Sequence, residues 1–164
     1  MIDEEMLAEA ANILDLCRRA KLKLALAESC TGGLIAATLT EIPGSSDVLD
    51  RGYITYSNRA KEIELAVPKT TLEDFGAVSE QTARAMAEGA LKASGADLSV
   101  AVTGIAGPSG GSAAKPVGLV HFAAARNGRV IAREIRFGDL GRTEVRRRSV
   151  LAALELLEEL FEKA

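Results

Sequence analysis

Apolar residues at Met6, Leu7, Ala10, Ile13, Leu14 and Cys17 recur at intervals of three and four, which predicts an amphipathic helix from Asp3 to Ala20. Asp3, Glu4 and Glu5 stand where the positive end of its dipole would lie. The period then changes. Leu22 to Ala27 is a short apolar run that reads as a buried strand. Thr31 to Glu41 returns to helical spacing before Pro43-Gly44-Ser45-Ser46-Asp47 ends it with turn residues. Gly52 to Ser57, carrying Tyr53-Ile54-Thr55-Tyr56, has the aromatic and β-branched content of a second strand. Asn58-Arg59-Ala60-Lys61 opens a short helical piece that Val67-Pro68 closes.

Ser79 then caps a helix running to Ser94, with Ala83, Met86, Ala87, Ala90 and Leu91 on one face and Gly95 as its stop. Leu98 to Val102 reads as a third buried strand, followed by a glycine-rich loop from Thr103 to Lys115. Val117 to Ala125 and Arg129 to Phe137 flank Arg126-Asn127-Gly128, which signals a β-hairpin. Gly141 to Lys163 closes the chain as a helix striped by Val145, Leu151, Leu154, Leu157, Leu160 and Phe161. Strands alternating with helices predict a three-layer α/β/α fold. Its sheet is mixed and mostly parallel, with an antiparallel hairpin near the C-terminus, and residues 1–164 are expected to form one domain.

Composition narrows function more than fold. With 48% hydrophobic residues but only 4% aromatic, the core is aliphatic and little is left to stack bases on. A net charge of −3 gives no electrostatic reason to expect nucleic acid, so a small-molecule partner is expected. Two cysteines, Cys17 and Cys30, support neither a disulfide framework nor a metal site with CxxC spacing, which fits a reducing cytoplasm. The acidic N-terminus leads into no apolar segment, and no window approaches the ~20 apolar residues of a membrane span. The apolar final helix and aliphatic strands suit a homo-oligomer.

The stretch that carries chemistry is Leu24 to Leu34, where a strand gives way through Glu28-Ser29-Cys30-Thr31-Gly32-Gly33 to a helix. Two accounts fit it. Ser29 or Thr31 simply caps the helix while the glycines allow close packing, or the junction holds an anion or shelters a nucleophile among unpaired N–H groups. In open α/β sheets ligands bind beyond the carboxyl ends of the strands, and Ser29, Tyr56 and Thr103 all fall there. A serine attacks an amide only if a base takes its proton. Lys61 can serve where burial favours its neutral form, and Tyr56 can relay or donate the proton. The developing oxyanion would meet N–H groups at Thr31, Gly32 and Gly33. On the other account, Tyr56 is a half-buried strand residue and Lys61 is solvated.

Cys30 is a rival nucleophile, but the single histidine, His121, lies in the apolar stretch Gly118-Leu-Val-His-Phe-Ala and reads as a core or edge residue. One histidine also leaves no His-rich metal site. The glycine-rich loop lacks GxxxxGK[ST] and GxGxxG spacing, so it is neither an ATP-type phosphate loop nor a dinucleotide fingerprint. Its backbone can still wrap a ligand, with Lys115 or the arginines at 142, 146, 147 and 148 neutralising a phosphate. The alternative for the arginines is a solvated helix face.

Three stretches together resemble one family. Ala27-Glu28-Ser29-Cys30-Thr31-Gly32-Gly33 is the first, and the second runs from Gly52 to Lys61 with its Tyr-Ser-Asn-x-x-Lys. The third is Thr103-Gly104-Ile105-Ala106-Gly107-Pro108 with Gly110-Gly111 and Lys115-Pro116-Val117-Gly118. In this order and spacing they are similar to the CinA C-terminal domain family across essentially the whole chain. The resemblance implies hydrolysis of the carboxamide of nicotinamide mononucleotide (NMN) to nicotinate mononucleotide and ammonia, in pyridine nucleotide recycling, with no metal and no cofactor. It implies Ser29 as nucleophile, Lys61 as base and Tyr56 as proton-transfer helper, the last two being interchangeable. Nucleotide contacts are implied at Thr103 and the loop to Lys115, with Gly104 and Gly107 in it, and Arg142 or Arg146 on the phosphate; Thr31, Gly32, Gly33 and Asn58 are further candidates for substrate binding. Larger members carry an additional N-terminal domain associated with pyrophosphatase activity. Two other functions stay open, a catalytically silent nucleotide-binding module in competence or DNA-damage contexts and a serine amidase for another small amide.

Overall fold

A computed structural model describes residues 1–162. Helix α1 (Glu4–Ala20) begins where the Asp3 carboxylate accepts a bond from the Met6 N–H, and ends at Lys21 in the left-handed region. Strands β1 (Leu24–Glu28), β2 (Leu49–Ile54), β3 (Leu98–Gly104), β4 (Leu119–Arg126) and β5 (Arg129–Arg136) form one sheet in the order β2-β1-β3-β4-β5. β1 pairs in parallel with β2 and β3, while β3–β4 and β4–β5 are antiparallel, so only β4 runs against the other strands. Asn127 and Gly128, both with positive φ, make the tight hairpin turn between β4 and β5.

Residue size alternates along the strands and assigns the layers. Leu24, Leu26, Val100, Val102 and Phe122 point to one face, where α1, α2 (Leu34–Thr40) and α6 (Arg142–Glu162) cover them. Ala25, Ala27, Ala101 and Ala123 point to the other, and their small side chains let α5 (Glu80–Ser94) lie against the sheet beside α3 (Asn58–Leu65) and α4 (Lys69–Phe75). The three-layer mixed sheet expected from the pattern is the one observed. Because β4 is covered by helices on both sides, it is buried along nearly its whole length despite its antiparallel pairing.

Most other strand ends move by one or two residues, and three elements differ more from the pattern. Strand β2 runs Leu49–Ile54 rather than Gly52 to Ser57, since its register comes from parallel pairing with β1, Leu24 opposite Leu49 and Glu28 opposite Ile54. It is a sheet edge with exposed Asp50 and Arg51, which hides it from hydrophobic patterning. Helix α2 starts at Leu34 and not Thr31, because Gly32 and Gly33 adopt φ of 56° and 98°. Helix α4 was absent from the pattern because only Leu72 of its seven residues is buried. Of the final helix, the expected end at Lys163 lies outside the described residues.

The parallel strands β1, β2 and β3 end side by side, Glu28 opposite both Ile54 and Val102. Ser29 and Thr55-Tyr56 therefore leave the sheet beside Thr103, which stays in β3 paired with His121. No helix among the described residues is long and apolar enough to cross a membrane.

Candidate active site

The turn that presents Ser29 is built on a buried carboxylate. Glu28, the last residue of β1 and fully buried, accepts N–H bonds at Oε1 from Gly33 (3.2 Å) and Ile35 (3.0 Å), and at Oε2 from Ala36 (3.1 Å). The Leu34 N–H is taken by the Thr31 carbonyl and the Gly32 N–H by the Ser29 carbonyl, each at 3.0 Å. The start of α2 thus has no free donor left for a ligand. This differs from the expectation that Gly32 and Gly33 would face an oxyanion.

Lys61, in the second turn of α3, is only 1% exposed and reaches across to Ser29, itself 8% exposed. Its Nζ lies 2.9 Å from Ser29 Oγ, 2.7 Å from the Thr55 carbonyl and 3.4 Å from the Tyr56 carbonyl. Carbonyls only accept hydrogen bonds, so a neutral amine directs its two hydrogens at them and leaves its lone pair for the serine proton. Burial pushes the Lys61 ammonium down from 10.5 to about 8, which puts the neutral form within reach near neutrality. Helix α3 is held in place by Ser57, whose hydroxyl accepts from the Ala60 N–H.

Ser29 and Lys61 open into a cleft of about 250 Å³. Thr103, Gly104 and Gly107 line one wall, and Ala77 and Val78 line another. The Thr103 hydroxyl donates to the Ala77 carbonyl at 2.8 Å and ties the two walls together. Gly107 adopts φ of 83°, and a Cβ there would sit 2.6 Å from the Val117 side chain, so only glycine fits. At the mouth, Arg142 donates to the Gly107 carbonyl and to the Tyr56 hydroxyl, both at 2.9 Å. The Tyr56 ring is 60% exposed, and its hydroxyl meets Arg142 rather than Ser29 or Lys61.

Other expected site residues stand elsewhere. Thr31 is buried, and its carbonyl accepts from Arg146 Nη2 at 3.0 Å, so Arg146 lies behind the serine turn and does not line the cleft. Exposed Asn58 begins α3 beside Glu62 and Lys69. Lys115 clips onto the Phe75 carbonyl and lines a neighbouring cleft of about 370 Å³ with His121, Glu134 and Arg136. Cys30 does line the Ser29 cleft, but burial pushes its thiol up to about 12, so it is no thiolate at neutral pH. Burial also lowers the His121 pKa, against the pull of Glu134. Sequence reasoning passed over Glu28, although a carboxylate ending an otherwise apolar strand was a usable signal. No group of three or more His, Cys, Asp or Glu that could hold a metal occurs among the described residues.

Fold and site together define an α/β protein with a serine–lysine pair at the carboxyl ends of the parallel strands of a mixed sheet. Residues 6–161 match the CinA C-terminal domain, and the chain belongs to that family. It is 55% identical to the competence/damage inducible protein CihA of Agrobacterium tumefaciens, with a TM-score of 0.95 over 98% of each chain. It is also 54% identical over 131 residues to the nicotinamide-nucleotide amidohydrolase PncC of Enterobacter agglomerans, covering 79% of each. A longer relative in Caldicellulosiruptor bescii, provisionally named a competence-damage inducible protein, is 50% identical over 157 residues. The chain matches only 37% of that relative's length.

Proposed function

We propose that this chain is an amide hydrolase acting on NMN through an acyl-enzyme at Ser29. The observation that carries this is the 2.9 Å contact between Lys61 Nζ and Ser29 Oγ, with the other Lys61 contacts being carbonyls. Neutral Lys61 takes the serine proton as Oγ attacks the carboxamide carbon. The tetrahedral intermediate collapses as Lys61 gives that proton to the amide nitrogen, the C–N bond breaks and ammonia leaves. Water, deprotonated by Lys61, then attacks the ester and frees nicotinate mononucleotide and Ser29. With the Gly32 N–H bonded to the Ser29 carbonyl and the Gly33 N–H to the Glu28 carboxylate, neither glycine N–H is the donor assigned to the oxyanion.

Arg142 is assigned to the phosphate, because it stands at the cleft mouth and the acceptors it bonds there, the Gly107 carbonyl and the Tyr56 hydroxyl, are neutral. Tyr56 lends its carbonyl to Lys61 and its ring and hydroxyl to the mouth, where they contact substrate. The name of the Enterobacter agglomerans relative supports this substrate. Ammonia release from purified protein tests the proposal, with NMN run beside nicotinamide and nicotinamide riboside and with Ser29→Ala as control. Release from NMN that is lost in a folded Ser29→Ala supports the serine mechanism, and retained turnover refutes it. NMN binding without ammonia release would identify a binding module instead.

A further inference from the structure

We infer that Glu28 and Arg146 form a two-sided clamp that positions Ser29 against Lys61, and that neither residue touches substrate. The inference rests on the Ser29–Lys61 mechanism above. Residues 29–33 form a tight turn, and the two ends of the peptide dipole in it are held by opposite charges. From one side the Glu28 carboxylate gathers the N–H groups of Gly33, Ile35 and Ala36. From the other, Arg146 Nη2 donates to the Thr31 carbonyl at 3.0 Å. Helix α2 has no side-chain cap at Gly33, so Glu28, five residues upstream, takes over that task.

Glu28 also aligns the base. Its backbone carbonyl accepts the Thr55 N–H at 2.9 Å, and the carbonyl of that same Thr55 accepts from Lys61 Nζ at 2.7 Å. One residue therefore sets the nucleophile through its side chain and the lysine through its main chain. The charge on Arg146 is directed at a peptide carbonyl behind the turn, which separates its role from that of Arg142 at the mouth.

The test uses the full chain as wild type, Glu28→Gln, Glu28→Asp and Arg146→Gln. Three quantities are measured: thermal melting, the rate of Ser29 labelling by a fluorophosphonate read by mass spectrometry, and kcat and KM for NMN and nicotinamide riboside. Glu28→Gln removes the charge and presents an amide N–H₂ where an acceptor is needed. A displaced nucleophile loses on the order of 10²-fold, so labelling rate and kcat fall by about that factor while KM stays within about twofold. Glu28→Asp, which keeps the charge, recovers part of the loss. Arg146→Gln lowers kcat and labelling together and leaves the preference for NMN over the riboside unchanged.

A purely structural role would lower the melting temperature without moving the labelling rate of the folded fraction. Unchanged labelling and kcat in folded Glu28→Gln overturn the clamp. So does a rise in KM for NMN alone in Arg146→Gln, since that would make Arg146 a phosphate ligand. If Glu28→Gln does not fold, the half-buried Arg146 side of the clamp decides the matter. Wild type that labels at Ser29 but releases no ammonia refutes the substrate and still tests the clamp. Wild type that does neither overturns both.

Discussion

Burying an amine without a carboxylate partner links activity and stability through one group. Lys61 holds its proton with a pKa of about 8 in the folded chain against 10.5 for the free side chain. If the neutral amine is the base, kcat/KM rises about tenfold per pH unit up to pH 8 and levels above it, since the fraction of neutral amine grows in that ratio. Stability follows with a definite sign. Between pH 8 and 10.5 the unfolded chain binds a proton that the folded chain has released, so folding stability gains with pH across that window. Below pH 8 the buried ammonium imposes its full penalty, about 3 kcal/mol at 1.36 kcal/mol per pH unit of displacement. Replacing Lys61 by Met removes the titration along with the base. We therefore expect no ammonia release from Lys61→Met at any pH. The difference in unfolding free energy, wild type minus variant, should rise by about 3 kcal/mol between pH 7 and pH 10.5 in urea titrations. A flat activity profile from pH 6 to 9 would refute the assignment of the base. So would an acid limb near pH 6.5 or a stability difference independent of pH.

Arg142→Ala is expected to raise KM for NMN by about 10- to 100-fold, as a charge-assisted contact to phosphate is lost, and to narrow the preference for NMN over its riboside. Equal losses on both substrates would assign Arg142 to the structure of the cleft instead. Both cysteines are buried with thiols pushed up to about 12. Iodoacetamide at pH 7.5 should leave both untouched until the chain is unfolded, and prompt labelling of Cys30 in the native protein would contradict its burial.

Elements whose determinants are local were legible in the residues. Helix α1 carries its own cap, Asp3, and helix α5 carries Ser79, while Asn127-Gly128 encodes the hairpin turn. Strand β2 was displaced by three residues because pairing with β1 sets its ends, and exposed Asp50 and Arg51 erase the hydrophobic signal. Helix α4, with one buried residue, has almost no signal to read. The glycine-rich loop shows the same limit. Its lysine was expected at the substrate, but the loop folds back so that Lys115 meets the Phe75 carbonyl, 40 residues away.

The candidate chemistry divides in the same way. The chain by itself determined which groups are present, a serine at a strand-to-helix junction and a lysine near the next one, because residue type and the ends of elements are properties of short stretches. Only the tertiary structure decided that Lys61 Nζ meets Ser29 Oγ across 32 positions. It also decided that the lysine is dry enough to lose its proton, and that Glu28 rather than a ligand occupies the start of α2. These depend on how three parallel strands end side by side and on what covers them. Desolvation and hydrogen-bond geometry arise from neighbours brought together by packing, which spacing along the chain does not specify.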